Sequence, residues 1–544
     1  MLSHSGEVKR RVRKHKRSNK YTPVYSYKSK PLFYVKKFIY SAGSLLVLLL
    51  AIYFGGKAFA NGKLNDLIEK SNQNGNTFTV GARNLSFSFL NLGLKLDSVR
   101  LDQAVGSRRV FGTIRHLNLN GLSAMKVISG DVSINDLLVD GAALEVHYAI
   151  PDSTDASTEL KTKKKGVNIK NLRLANGHVL VFDKDSVLKA EVLGLSTSGS
   201  IDLPLAPASP PKMNITADSI FFPATDDTNE TISGLRVDTG KKNLNVGTFR
   251  LSPKQTTKAF LTSIKYKRPW QALRVDNIEI VGIPFDSLMA GGRSVIPDVN
   301  ISDLNFAIYE NPSLERDPSE PYKNFPVENF RKLGKSILLQ SLTVDRANIS
   351  YGAHKNGTDK PDITFAGTIK AGNFSTWKQD DPAFVQGDFT FDETSPLTIR
   401  FELGQASEGR DFRATGDLKN YDLPKVNPLM EVAANADIEK GYISHMTHDF
   451  NVRNDVSEGE MVLKYDHLEL KMTGKGAWFT NLIEDIAVRD SNPRNDGDLV
   501  VGSVYAEHEP TKSFFNLYWK SVVAGMTSSA VGKVFTPDEL APKD

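Results

Sequence analysis

A chain of 544 residues without a single cysteine has no thiol nucleophile, no cysteine zinc site and no disulfide scaffold, so any metal site falls to His and carboxylates. The best metal-like set is His445, His448 and Asp449, because imidazoles three apart share a helical face with a carboxylate beside them. The surrounding segment alternates like a strand, which argues against that face. Ser186-Val-Leu-Lys189 has the Ser-x-x-Lys spacing of penicillin-binding enzymes, but the companion Ser-Asp-Asn and Lys-Thr-Gly motifs are missing. The acid pairs Asp226-Asp227 and Asp380-Asp381 are adjacent in sequence, and adjacent strand residues point to opposite faces, whereas glycoside hydrolysis needs two carboxyls flanking one bond. Gly474-Lys-Gly476 and Ala290-Gly-Gly-Arg293 lack the strand-to-helix setting of a phosphate loop. The expectation is a protein with no catalytic residues, no metal and no cofactor.

The elements available to position side chains are mostly strands. From Asn76 to about Asp498, apolar residues alternate in short runs broken by Asn, Asp, Gly or Pro, the signature of antiparallel β structure. With 40% apolar and 24% charged residues the composition is globular, and the length calls for two or more folded units. One pattern recurs at offsets 0, 2, 5, 7, 12 and 14: Val132, Ile134, Leu137, Val139, Leu144, Val146, and again Val167, Ile169, Leu172, Leu174, Val179, Val181. Ile337, Leu339, Leu342, Val344, Ile349 and Tyr351 repeat it, and Phe87, Phe89, Leu92, Leu94, Val99 and Leu101 fit as well. Steps of two keep side chains on one face, the odd step needs a bulge, and offsets 8 to 11 read as a turn. The turn chemistry agrees, with Asp140-Gly141, Asn176-Gly177 and Asp345-Arg-Ala-Asn348 there. The expected fold is therefore mainly β, an elongated antiparallel sheet or curled half-barrel of repeated hairpins. Its candidate lipid-groove residues are Val167, Ile169, Leu172, Leu174, Val179 and Val181, with Ile337, Leu339, Leu342 and Val344. Such a face either lines an open groove or fills a sandwich core, and the sequence leaves both open.

The first 37 residues carry twelve Lys and Arg against one acid, so a tail of +11 precedes a body that is slightly acidic. The run from Phe38 and Ile39 through Leu45, Leu46, Val47, Leu48, Leu49, Leu50 and Ile52 to Phe54 is uncharged and long enough for one bilayer crossing. Basic residues before it, with Tyr40 and Tyr53 near its ends, imply a single span whose N-terminus stays cytoplasmic. A cleaved signal peptide fits less well, despite Ala58-Phe59-Ala60, because the charged region and apolar stretch are both too long. The run Arg10 to Arg17 next to a membrane span reads as a topology and anionic-lipid signal. The acidic body has no nucleic-acid module, so no nucleic-acid partner is expected.

The expected organisation is a basic tail at 1–37, a transmembrane helix at 38–60, β regions at 61–310 and 327–510 separated by a linker at 311–326, and an amphipathic helix with a tail at 511–544. Other polar or proline-rich breaks lie at 151–166 and 204–212. Between Pro510 and Pro537, Phe515, Trp519, Val522, Met526 and Ala530 fall at helical spacing. Phe515, Trp519, Val522 and Met526 are the candidate interface, either packed on the sheet end or left for a membrane surface or partner.

The order of these parts resembles the AsmA-like family of bacterial envelope proteins, in its Bacteroidota-type members. The resemblance rests on the tail and anchor, on repeats such as Val167-Asn-Ile-Lys-Asn-Leu-Arg-Leu-Ala-Asn-Gly-His-Val-Leu-Val-Phe182, and on Ile308-Tyr-Glu through Pro326. Leu339 to Tyr351, Gly459-Glu-Met-Val-Leu-Lys-Tyr-Asp-His-Leu468 and Phe514-Phe-Asn-Leu-Tyr-Trp-Lys-Ser-Val-Val-Ala-Gly525 complete it. It implies a bacterial inner-membrane anchor, a periplasmic sheet curled around an apolar groove, and a part in outer-membrane assembly or lipid transport. Phospholipid or glycolipid is the implied ligand and envelope proteins are possible partners. The family brings no catalytic residues, and this body is short beside the large bridge-forming members. An envelope scaffold binding protein partners and an anchored glycan hydrolase are the alternatives; they predict a filled core with an exposed patch and a polar cleft with converging carboxylates, respectively.

Overall fold

The computed structural model describes residues 78–531 except 82–83, 89–92, 106–107, 122–131, 149–166, 204–209, 224–226, 312, 354–362, 405–409, 428–435, 473–488 and 495. The basic tail, the apolar run from Phe38 to Phe54 and Gly474-Lys-Gly476 lie outside those residues. Among the described residues no helix is long and apolar enough to cross a membrane.

The first ten strands are β1 Phe78–Gly81, β2 Asn84–Ser88, β3 Gly93–Val105, β4 Arg108–Asn120, β5 Val132–Tyr148, β6 Val167–Phe182, β7 Leu188–Leu203, β8 Met213–Phe222, β9 Thr228–Asp238 and β10 Asn243–Pro253. The remainder are β11 Trp270–Val281, β12 Ser294–Glu310, β13 Ile337–Ala353, β14 Ile363–Ser375, β15 Ala383–Phe391, β16 Ser395–Leu403, β17 Phe412–Asp422, β18 Ala436–Arg453, β19 Val456–Met472 and β20 Val501–Glu507. Among the described residues four α-helices accompany them, α1 Thr257–Ser263, α2 Phe285–Ala290, α3 Pro326–Arg331 and α4 Phe514–Val531, with a short 3-10 turn at Leu423–Val426.

All the strands belong to one long open sheet. From β3 to β20 each pairs with the next in sequence, and β1 and β2 lie in tandem along the outer edge of β3. Pairing is antiparallel except at two joints, where β5 lies parallel to β6 and β12 parallel to β13. These joints correct the hairpin reading of the repeat. Val132 to Val146, Val167 to Val181 and Ile337 to Tyr351 are each one continuous strand.

The parallel joints set copies of the repeat side by side in register. Val132 faces Val167, Ile134 faces Ile169, Leu137 faces Leu172, Val139 faces Leu174, Leu144 faces Val179 and Val146 faces Val181. In the second joint Ile337, Leu339, Leu342, Val344, Ile349 and Tyr351 face Ser294, Ile296, Val299, Ile301, Phe306 and Ile308, which reveals β12 as a further copy with serine in its first position. Like residues then pack on one face while the other stacks polar side chains, as where Asn171 Nδ2 donates to Asp136 at 2.9 Å and Asn176 Nδ2 to Asp140 at 2.8 Å.

The residues expected to turn the chain instead form bulges within strands. Gly141 and Asn176 have φ of 64° and 54°, and pairing between β5 and β6 steps from Asp140–Ala175 to Ala143–His178 around them. Ser98 at 54°, Gly194 at 65°, Gly234 at 67° and Asn277 at 53° do the same in β3, β7, β9 and β11. Pairing skips Ser98 against Arg115, and likewise Gly234 against Asp218, so the bulges form a seam running across neighbouring strands. At Gly194 a side chain would also collide with the Asp218 carboxylate, so glycine answers both the backbone angle and the close approach. Such a seam bends and twists the strands it crosses, and it ends at β13, since the β14–β15 and β15–β16 pairings run without a skip.

Segment 311–326 does not interrupt the sheet, since β12 and β13 on either side of it pair directly. It belongs to the crossover that their parallel pairing demands. Beyond it the sheet closes over a core. The Lys323 N–H donates to Pro510 O at 3.0 Å, and Phe325 meets Phe514 at 5.5 Å and Phe412 at 6.0 Å between ring centroids. Phe401, Phe412, Phe450, Leu463 and Val504 from the strands, with Phe514, Leu517 and Val522 from α4, form one buried cluster.

Candidate functional site

Following the pairing register strand by strand gives two unbroken rows on the face that carries the repeat. One begins at Leu101 and Gly112, passes through Leu144, Val179, Val192, Ile220, Ile232 and Phe249, and reaches Val275 and Leu304. It continues through Ala347, Gly367, Phe389, Leu397, Leu418 and Met446 to Leu463 of β19. The second, beyond the seam, runs from Leu96, Leu117, Val139 and Leu174 through Thr197, Ile215, Val237, Leu244, Ile280, Val299 and Leu342. It ends with Ala371, Val385, Phe401, Ala414, Phe450, Gly459 and Val504 of β20. Thr197 is its single polar member. At about 4.8 Å per strand, the second row is about 80 Å long.

Coverage of this face changes along its length. At the start Leu96, Leu117 and Val139 are each 1% exposed, and at the end Ala414 and Phe450 are 0% and Val504 2% exposed. Between them Ile215, Val237, Leu244, Ile280 and Leu342 are only half-buried, as are Val192, Ile220, Ile232, Phe249 and Leu304, while Val275, Val299 and Ala347 in the same stretch are buried. The middle of the sheet thus carries an apolar trough, and its far end is sealed by α3 and α4. Rows of this kind present apolar surface whose further burial is favourable.

The expected groove residues divide accordingly. Ile169, Val179 and Val344 are buried, while Leu172, Leu174, Val181, Ile337, Leu339 and Leu342 are half-buried on the same face. Val167 opens β6, and its side chain lies outside the described set. Reasoning from the sequence missed β12 as a copy, and Ser294 in the first position is what hid it. Of the candidate interface on α4, Phe515 is 67% exposed, Trp519 and Met526 are half-buried and Val522 is buried in the cluster. α4 lies so close to the sheet because small residues meet there: Ser521 Oγ donates to Ser457 Oγ at 2.8 Å, and Ser528 Oγ accepts the Ser503 N–H at 2.8 Å.

Strand alternation separates the histidine set. His445 and Asp449 point outward, to Asp417 at 3.1 Å and to Arg413 at 2.5 and 2.8 Å. His448 points to the opposite face, 3% exposed, beneath α4. Burial lowers its pKa to about 4, so the ring is neutral, with Nε2 3.3 Å from the Tyr518 hydroxyl and Nδ1 without a partner. The same burial raises the Tyr518 hydroxyl, which keeps its proton. No group of three metal-ligating side chains occurs among the described residues. Neither a family model nor a curated protein matches the chain.

Proposed function

We infer that the chain is a non-enzymatic envelope protein, anchored in a bacterial inner membrane by the run from Phe38 to Phe54, that takes part in outer-membrane assembly or lipid transport by sheltering acyl chains in the trough. The observation that carries this reading is the pair of apolar rows, mostly half-buried through the middle of the sheet. The half-buried stretch, seven strand spacings from Leu174 to Leu342, is about 34 Å long, comparable with the roughly 30 Å hydrocarbon thickness of a bilayer. Each methylene taken from water contributes about 0.8 kcal/mol, so a chain of about fifteen methylenes gains about 12 kcal/mol if fully enclosed and roughly half of that on an open face. Phospholipid or glycolipid is the ligand class this favours. The scaffold alternative has one observation on its side, the exposed Phe515 at the start of α4.

Mass spectrometry of organic extracts from the purified chain tests the reading. Enrichment of phospholipid or glycolipid over a matched β-protein control, lost in Leu172→Asp or Val181→Asp with the fold intact, is the expected result. Extracts no richer than the control argue for the scaffold.

A further inference from the structure

A depression of about 610 Å³ crosses β10 to β14, and it does not belong to the trough. Each of four strands gives it a run of three residues, 272–274, 305–307, 348–350 and 364–366. The outer two of each run share one face and the middle one, Leu273, Phe306, Ile349 or Phe365, points the other way. Had the depression opened on the trough side, the next inward residues Val275, Leu304, Ala347 and Gly367 would line it, and none does. It therefore lies on the polar outer face.

Its floor is low because small side chains follow one another across the strands, Ala272 beside Ala307 beside Ser350, with Ala366 nearby. Trp270 stands at one side, its ring fixed by Nε1–H donating to Gln255 O at 3.0 Å and by an edge contact with Tyr309 at 5.8 Å. The other side carries a row in register, Arg250, Arg274, Asn305 and Asn348. Arg274 commits Nε to Asp276 at 2.6 Å, which leaves the two terminal nitrogens of its guanidinium, and the Arg250 guanidinium, which acts on Asp276 through its charge, makes no hydrogen bond or ion pair among the described residues. Asn348 donates to Asn305 Oδ1 at 3.2 Å, so Asn348 Oδ1 remains as an acceptor and Asn305 Nδ2 as a donor.

We propose that this outer cleft binds an anionic saccharide. A pyranose ring has an apolar C–H face that stacks on a rigid indole, and hydroxyls that need planar amide donors and acceptors at its edge. Two guanidiniums with uncommitted N–H groups select a carboxylate or phosphate on that sugar. The volume falls in the range of small-molecule sites, about 300 to 1,000 Å³. The proposal stands apart from the trough, because the cleft's side chains and the trough's rows occupy opposite faces of the same strands.

The experiment is calorimetric titration of the full chain in detergent with three soluble probes: the N-acetylglucosamine–N-acetylmuramic acid disaccharide, its neutral counterpart N,N'-diacetylchitobiose, and a glucosamine disaccharide bisphosphate. The expected result is binding of the acidic probes at least fivefold tighter than N,N'-diacetylchitobiose, a loss of that difference in Arg250→Glu, and loss of all binding in Trp270→Ala. Trp270→Phe retains an aromatic face and keeps measurable binding, which guards against a folding artefact. Preference for the bisphosphate marks a glycolipid headgroup as the source, and preference for the muramic probe marks a glycan strand. Leu304→Asp on the trough face leaves every affinity unchanged. No binding of any probe up to millimolar concentration, or binding indifferent to Arg250→Glu and Trp270→Ala, overturns the proposal.

Discussion

Leu304 and Leu463 occupy the same apolar row, one in the open middle and one at the sealed end, so the same substitution in each separates a trough from a core. Leu304 is half-buried, whereas Leu463 is 3% exposed inside the cluster beneath α4. Leu304→Asp loses about half of the 1.5–3 kcal/mol that full burial of a leucine contributes, and its carboxylate stays hydrated, so about 0.8–1.5 kcal/mol is the expected cost. Leu463→Asp loses the whole contribution and strands an uncompensated charge, which adds about 3–5 kcal/mol, for a total above about 5 kcal/mol. Against a typical stability of about 5–15 kcal/mol, the second change unfolds the closed end and the first does not. Guanidinium titration followed by tryptophan fluorescence reads both, because Trp270 and Trp377 report the middle strands and Trp519 reports α4. Equal destabilisation by the two variants refutes the open trough, since it requires the middle rows to be packed as tightly as the end.

Three further outcomes follow from the geometry. His448 is held near pKa 4 by burial while an unfolded histidine titrates near 6.5, so between those values the unfolded chain binds the extra proton; stability is full above about pH 6.5 and falls by roughly 3 kcal/mol as pH drops to 4, a slope that His448→Gln removes in pH-dependent denaturation. Gly502→Ala places a methyl against the Gly525 carbonyl oxygen and must move α4, costing about 1–3 kcal/mol, read as faster proteolysis of α4. Arg346→Met breaks the 2.5 and 2.6 Å pair with Asp303, yet both groups lie on the solvated outer face, so thermal denaturation should register less than about 1 kcal/mol.

The strand character and the inward set of the repeat were legible because a period of two, interrupted by one odd step, is a direct consequence of pleat and bulge. Strand continuity was not. Asp140-Gly141 and Asn176-Gly177 offer positive φ, which a hairpin turn and a bulge use equally, and only partners far along the chain decide between them. The parallel joints were hidden for the same reason, since a strand's neighbour is set by the crossover rather than by its own residues. The outer cleft left a faint signal, small or amide side chains at alternate positions of four separate strands, and it acquires meaning only once Ala272, Ala307 and Ser350 are known to be adjacent. His448 illustrates the limit from the other side: its neighbours in sequence suggested a ligand set, and alternation sends it alone into an apolar interior.

The most direct test of the central claim is a photoreactive phenylalanine analogue placed at Phe249 in the trough, at Phe450 in the sealed end and at Glu279 on the outer face, each in the full chain in cells. Irradiation followed by mass spectrometry is expected to yield lipid adducts at position 249 and none at 450 or 279. Absence of lipid at 249, or equal labelling at 279, contradicts the account.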